Sequence, residues 1–232
     1  MSNKYWHFIQ RDCRLGHDDS RQVVAGETLT HDGELEMCKS GLHASTNIMD
    51  ALCYAPGPVI CCVELRGRVV EGDDKAVASE RYCRWMLTAD QSEQVLMHFA
   101  RWCALRVVHL WDAPRVVIDY LLTGDESIRE AAWKATWAAT GAAARVAARV
   151  ATWAATEEAA REAAREAAGE AAGVAARKAA RKTAGVAARK AARKAQSHKL
   201  AELATIMHET GTMPTTQMPN MEDGKFVFME DS

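Results

Sequence analysis

The 232-residue sequence contains no glycine-rich phosphate loop, no nucleophile elbow, no paired zinc motif and no H-E-x-x-H. The commonest sequence routes to nucleotide hydrolysis, acyl transfer and metal-dependent hydrolysis are therefore missing. There is no C-x-x-C pair either. The seven cysteines (Cys13, Cys38, Cys53, Cys61, Cys62, Cys83 and Cys103) are odd in number and scattered, unlike a secreted disulfide framework. They are predicted to be reduced thiols, several serving as small buried hydrophobes. Cys38 and His43 are the nearest thing to a ligand pair, but no second half-site follows, so no metal site is expected. No apolar run reaches the roughly eighteen residues of a membrane span. No basic flank followed by an apolar run near the start marks a secretory leader. The expected location is the cytoplasm.

What is present falls into two parts. Residues 1–125 alternate strand and helix signals and predict an α+β head, a small mixed or antiparallel sheet with covering helices. Lys4-Tyr-Trp-His-Phe-Ile9 reads as a first strand. Weaker strand signals lie at Gln22–Ala25 and Glu34–Met37, on either side of the Asp32-Gly33 turn. Ser45 or Thr46 is placed to cap a short helix over Ile48–Ala55, stopped by Pro56-Gly57-Pro58. Val59-Ile-Cys-Cys-Val-Glu-Leu65 reads as a central strand buried on both faces. Arg68–Glu71, set off by Gly67 and Gly72, is predicted as the next short strand, and Arg81–Leu87 as another. Asp90 and Glu93 have capping-box spacing, and Leu96, Phe99 and Cys103 form one stripe of the helix they open. Pro114 starts another helix, with Val117, Tyr120 and Leu121 on its apolar face and Gly124 at its end.

Residues 126–210 form an alanine-rich helical tail. From Ala131 to Lys194 a four-residue repeat runs without a slip, 64 residues or sixteen tetrads. Gly173–Lys182 recurs letter for letter as Gly185–Lys194, which points to tandem duplication. Alanine favours helix. Four residues turn about 400°, so an alanine stripe drifts about 40° per tetrad around a straight helix. Several shorter packed helices are therefore expected, with Gly141, Gly169, Gly173 and Gly185 as break points. Glu157–Glu170 holds five Glu and two Arg, a net of 2 − 5 = −3, and Val174–Lys199 carries +9. Antiparallel packing of these blocks would oppose their charges. The basic block, with Arg177, Lys178, Arg181, Lys182, Arg189, Lys190, Arg193 and Lys194, is also a candidate contact for nucleic acid, although no aromatic residue is interleaved in it for base stacking. Leu200, Leu203, Ile206 and Met207 form an apolar face ended by Gly211. Residues 211–232 are predicted as a loop, with Lys225–Met229 as a last strand returning to the head's sheet.

One constellation carries a chemical reading. Gly41-Leu-His-Ala-Ser45 precedes a short helix ending in Ala51-Leu-Cys-Tyr54, followed by a buried strand and Val63-Glu-Leu-Arg-Gly67. This order resembles the core of ADP-ribosyltransferases of the poly-ADP-ribose polymerase type. The resemblance implies NAD as cofactor. His7 would hold the adenosine ribose, His43 would stand where the family has a tyrosine stacking on nicotinamide, and Tyr54 would belong to the family's helix motif. Glu80 would stabilise the positive charge that develops as nicotinamide leaves.

A second set of motifs spans residues 5–130: Cys38-Lys-Ser-Gly-Leu-His-Ala-Ser45, Asp50-Ala-Leu-Cys-Tyr-Ala-Pro-Gly57, Asp74-Lys75 and His109-Leu-Trp-Asp112. These are similar to a family of uncharacterised phage and prophage proteins that often carry alanine-rich helical tails. That resemblance implies an accessory protein in the host cytoplasm. It would bind a host or phage macromolecule, with no cofactor, no metal and no membrane contact. An NAD-dependent transferase acting on a host macromolecule is the alternative.

Overall fold

The uncharged run Val59–Val63 forms the buried start of a long strand, β6 (Val59–Glu71). The structure is a computed structural model that describes residues 4–16, 19–106, 108, 113–138, 184–215, 220–222 and 225–227. The fold is α+β. In chain order the first elements are β1 (Tyr5–Ile9), β2 (Arg14–Gly16), β3 (Asp19–Gln22), β4 (Thr28–Thr30), β5 (Leu42–Ala44) and α1 (Ile48–Cys53). After β6 come β7 (Ala76–Met86), α2 (Ala89–Leu105), α3 (Arg115–Thr123), a 3-10 turn (Glu126–Ile128) and α4 (Arg129–Ala138). The last described elements are α5 (Ala184–Thr210), β8 (Asn220–Glu222) and β9 (Lys225–Val227). The chain divides into two compact units, Met1–Val95 with Ser197–Thr212, and Leu96–Gln196 with Met213–Ser232. The first unit ends inside α2 and takes in a later piece of α5.

The first unit is built on an antiparallel sheet. β6 is central, with β1 on one side and β7 on the other, as the apolar run predicts. The far side of β7 is shared end to end. Thr28–Thr30 pairs with its residues 80–82 and Leu42–Ala44 with its residues 76–78. Just past β5, Ser45 exchanges both backbone hydrogen bonds with Trp6 of β1, at 2.7 and 3.0 Å. The path β1–β6–β7–β5 therefore closes on itself. Tyr5, Ile9, Val59, Cys61, Val63 and Cys83 pack inside, against Leu15, Val23, Leu42, Ala44 and Ala76. Strand alternation puts Trp6, Cys62 and Trp85 on the other face. There Trp6 meets Trp85 edge-on at 5.7 Å, and His208 of α5 stacks on Trp85 at 4.3 Å.

Several local readings are corrected. Ser45 is committed to the bridge with Trp6, so the α1 cap falls to Asn47, whose Oδ1 accepts from the Met49 amide at 2.9 Å. That helix also ends earlier than expected, at Cys53, with Tyr54 as its C-cap. The capping box of α2 is Thr88 and Gln91. The Thr88 amide donates to Gln91 Oε1 at 3.0 Å, and the Gln91 amide donates to Thr88 Oγ1 at 3.1 Å. Asp90 and Glu93 instead pair with Arg11. Arg68–Glu71 is no separate strand. β6 continues through Gly67, whose φ of +70° and register shift make a bulge. A side chain at Gly67 would also strike Ser79 Oγ at 2.3 Å. β7 likewise starts earlier than expected, at Ala76. Gln22–Ala25 contributes only Gln22 to a strand, and Glu34–Met37 curls into a loop closed by backbone bonds between Glu36 and Ser40.

In the second unit, Leu96, Phe99 and Cys103 are buried along α2, together with Val117, Tyr120 and Leu121 of α3. Gly124 ends α3 in the left-handed region at φ +67°, donating to the Tyr120 carbonyl at 2.8 Å. β9 pairs with β8 as an antiparallel hairpin. α5 buries Leu200, Leu203 and Met207 in the first unit, and Gly211 ends it at φ +71°. The first two tetrads are helical in α4, and the last ones open α5, with Gly185 inside it. The breaks expected at Gly141, Gly169 and Gly173 lie outside the described residues. So does the expected pairing of the acidic and basic blocks.

Candidate functional site

Gly41 is where the motif Gly41-Leu-His-Ala-Ser45 acquires its shape. Its φ is +113°, and a Cβ there would lie 2.4 Å from Val77 Cγ2 and 2.9 Å from Leu35 Cδ2. Only glycine lets the preceding loop lie flat against β7. The loop is then pinned by the next residue but one. His43 Nε2 accepts from the Cys38 amide at 3.1 Å, while Cys38 itself sits at φ +68°. Burial lowers the pKa of His43 below its ordinary 6.5, with Lys75 adding repulsion and a hydrogen bond to the Gly41 backbone opposing the shift. An imidazole that accepts an amide through Nε2 is neutral and carries its proton on Nδ1. Its ring staples a loop, a role that competes with stacking on a ligand.

The other residues of that constellation sit apart. His7 lies on β1 opposite Cys61, on the inward face with Tyr5 and Ile9. His43 shares the parity of Ser45, which faces Trp6, so the two histidines point to opposite sides of the sheet. Glu80 lies on β7 between Thr30 and Arg66. The β7 partner of His43 is Val77. Three residues along a strand separate it from Glu80, roughly 10 Å at about 3.3 Å per residue. Cys61, opposite His7, is paired with Met86, six residues or roughly 20 Å along β7 from Glu80. Tyr54 is exposed. Its hydroxyl donates to Asp74 Oδ2, its ring lies 3.6 Å below Lys75 Nζ, and its phenol pKa is raised, first by that bond to Asp74. It ties the end of α1 to the β6–β7 turn.

Sequence reading missed Arg81. It lies on β7, is 3% exposed, and donates from Nη1 to the His43 carbonyl at 2.7 Å, while its buried Nη2 has no hydrogen-bond partner among the described residues. Burial pushes its pKa down to about 10. The thiols of Cys61 and Cys83 hydrogen-bond to each other beside it. Cys83 is lowered by the bond from Cys61 and by the Arg81 charge, and Cys61 is raised in return. The available signal was strand parity, because Arg81 alternates with inward Cys83 on the face opposite Tyr82, while a register shift turns Trp85 to the other face. Among the described residues no group of three or more His, Cys, Asp or Glu side chains is arranged to hold a metal.

The second feature is an open strand edge. β1 pairs with β6 only as far as Val63, so Glu64–Glu71 has β7 on one side and, among the described residues, no strand on the other. The hairpin closes with the Gly72 amide donating to the Lys75 carbonyl at 2.9 Å. Counting back from that bonded pair, Val70 bonds across to Val77, while Val69 and Glu71 turn their amides and carbonyls outward. Val69 and Val70 are 40% and 46% exposed. Such an edge is a template for an added strand.

Residues 4–93 match the model of a family described as a domain of unknown function (DUF7666). The match runs from the residue before β1 into the first turns of α2, and so covers the closed sheet and the open hairpin. No curated protein and no solved structure is detectably similar to the chain.

Proposed function

We propose that the protein is a non-enzymatic interaction module, a phage or prophage accessory protein working in the host cytoplasm. It binds a host or phage protein through the distal half of the β6–β7 hairpin. The observation that carries this reading is the open edge at Leu65–Glu71, beside which the described residues include no further strand, with its two exposed valines. It supplies main-chain donors and acceptors to an extended segment of a partner, and apolar contact beside them. The transferase reading finds less support, since Glu80 stands roughly 10 Å along β7 from the partner of His43, and His43 and Tyr54 are engaged within the fold. Lys190 and Lys194 of the basic block are exposed on α5, which keeps nucleic acid as a second class of partner.

The test is photo-cross-linking in producing cells from a photoreactive residue at position 70, with position 24 as control because Val24 is similarly exposed at 42%. Discrete protein adducts from position 70 and none from position 24 are expected. Equal labelling from both positions, or release of nicotinamide when the purified protein is given NAD, would overturn the reading. Adducts to nucleic acid alone would shift it to the basic block.

A further inference from the structure

The charges along the open edge follow an order. Reading from the bulge to the turn, the chain runs Arg66-Gly-Arg68-Val69-Val70-Glu71-Gly-Asp73-Asp74, basic, then apolar, then acidic. All of these residues are exposed. A segment with this order is complementary to itself when turned end for end. Set against itself in the same direction, it would place like charges together, which is unfavourable across strands.

We propose that this edge pairs with the same edge of a second copy of the chain, antiparallel about a two-fold axis. The inference rests on the reading of the hairpin as an interaction element and names its partner. The backbone selects the register. Val69 and Glu71 are the residues whose amides and carbonyls point outward, so Val69 of one copy exchanges both hydrogen bonds with Glu71 of the other. That register sets Val70 against Val70, and Arg68 against Gly72 and its neighbour Asp73. It brings Arg66 towards Asp74. The contact is isologous, so each attraction occurs twice. The side chains are already partly held in place. Arg68 Nη2 donates to the Gly33 carbonyl at 2.9 Å, Arg66 lies over the Tyr82 ring at 4.2 Å, and Glu71 accepts from the Tyr5 hydroxyl at 2.7 Å. The paired stretch is short and its charges are exposed, so the dimer is weak and sensitive to salt.

Sedimentation equilibrium of the full chain tests this. The wild type should pass from monomer to dimer as concentration rises, at lower concentration in low salt than in high salt. Arg68→Asp and Asp73→Arg should each be monomeric alone and form a heterodimer when mixed, because the reversed charges then face each other. Val69→Pro should be monomeric too, since it removes an outward amide without touching a bond to β7. Circular dichroism checks that each variant is folded, and if the proline variant is not, the charge pair still decides. A wild type that stays monomeric, or variants that dimerise as the wild type does, would overturn the proposal. A monomer that still cross-links from position 70 to another protein would overturn the self-pairing alone and leave the interaction module standing. Failure of both would remove the hairpin from the account.

Discussion

Arg81 Nη1 donates to the backbone carbonyl of His43 at 2.7 Å, joining the middle of β7 to β5 from inside the closed sheet. The bond satisfies one end of a guanidinium and leaves Nη2 buried without a hydrogen-bond partner among the described residues. A buried charge without a well-matched partner is destabilising compared with an apolar side chain of similar size. Arg81→Met should therefore leave stability unchanged or raise it by about 1–4 kcal/mol, after the loss of about 1 kcal/mol for the His43 hydrogen bond. Arg81→Ala should lower it, because a cavity is left. Urea unfolding measures both. A methionine variant markedly less stable than the wild type would show that the charge is compensated.

Protonation of His43 gives a pH dependence. Its folded pKa lies below its ordinary 6.5 because of burial. Above 6.5 the ring is neutral in both states and costs nothing. As pH falls below 6.5 the unfolded chain takes up a proton before the folded one, so this contribution to stability is lost towards the folded value. The urea midpoint should fall between about pH 7 and 5, and His43→Gln should flatten the decline. An equal slope in the variant would assign the dependence to another group.

Thr88→Ala removes the hydroxyl that accepts from the Gln91 amide, and leaves the α2 capping box only its other half, the backbone amide of position 88 donating to Gln91 Oε1. The expected loss is about 1 kcal/mol. Asp90→Ala should cost less, because that carboxylate is exposed and its pair with Arg11 is a surface one. The opposite ranking would return the cap to the Asp90–Glu93 spacing.

All seven cysteines are free thiols, four of them buried. Cys103 is pushed up to about 12 by burial, which makes it inert in the folded protein. Titration with a thiol reagent should find few reactive groups in the native state, exposed Cys38 among them, and seven after unfolding. A lower count in the unfolded, non-reduced protein would mean a disulfide.

Elements whose periodicity comes from burial were legible from sequence. The run Val59–Val63, the α2 stripe at Leu96, Phe99 and Cys103, and the α3 face at Val117, Tyr120 and Leu121 appear where expected. Boundaries set by competition for a polar group were not. Ser45 looks like a helix cap until Trp6 takes its backbone into the sheet, and Gly67 looks like a strand end until the bulge carries β6 onward. The site was legible only in part. His43 and Gly41 are two residues apart in sequence and cooperate in one loop, whereas the separation of Glu80 from His7 follows from strand register, which no local pattern encodes. Arg81 was hidden for a related reason, since an arginine in an alternating strand is ordinarily the outward residue.

The return of α5 to the first unit has a consequence for the order in which the protein can be completed. Asn47 Oδ1 accepts from Ser197 Oγ at 2.7 Å, Lys4 donates to Thr205 at 3.3 Å, and His208 covers Trp85. A ribosome that has just finished Val95 has about a hundred residues still to add before Ser197, roughly 5–20 s at ordinary elongation rates. Throughout that interval the sheet's outer tryptophan face lacks its lid. The nascent chain must wait in a sticky, half-finished state, and a delay within the repeat would lengthen its exposure to chaperones and proteases.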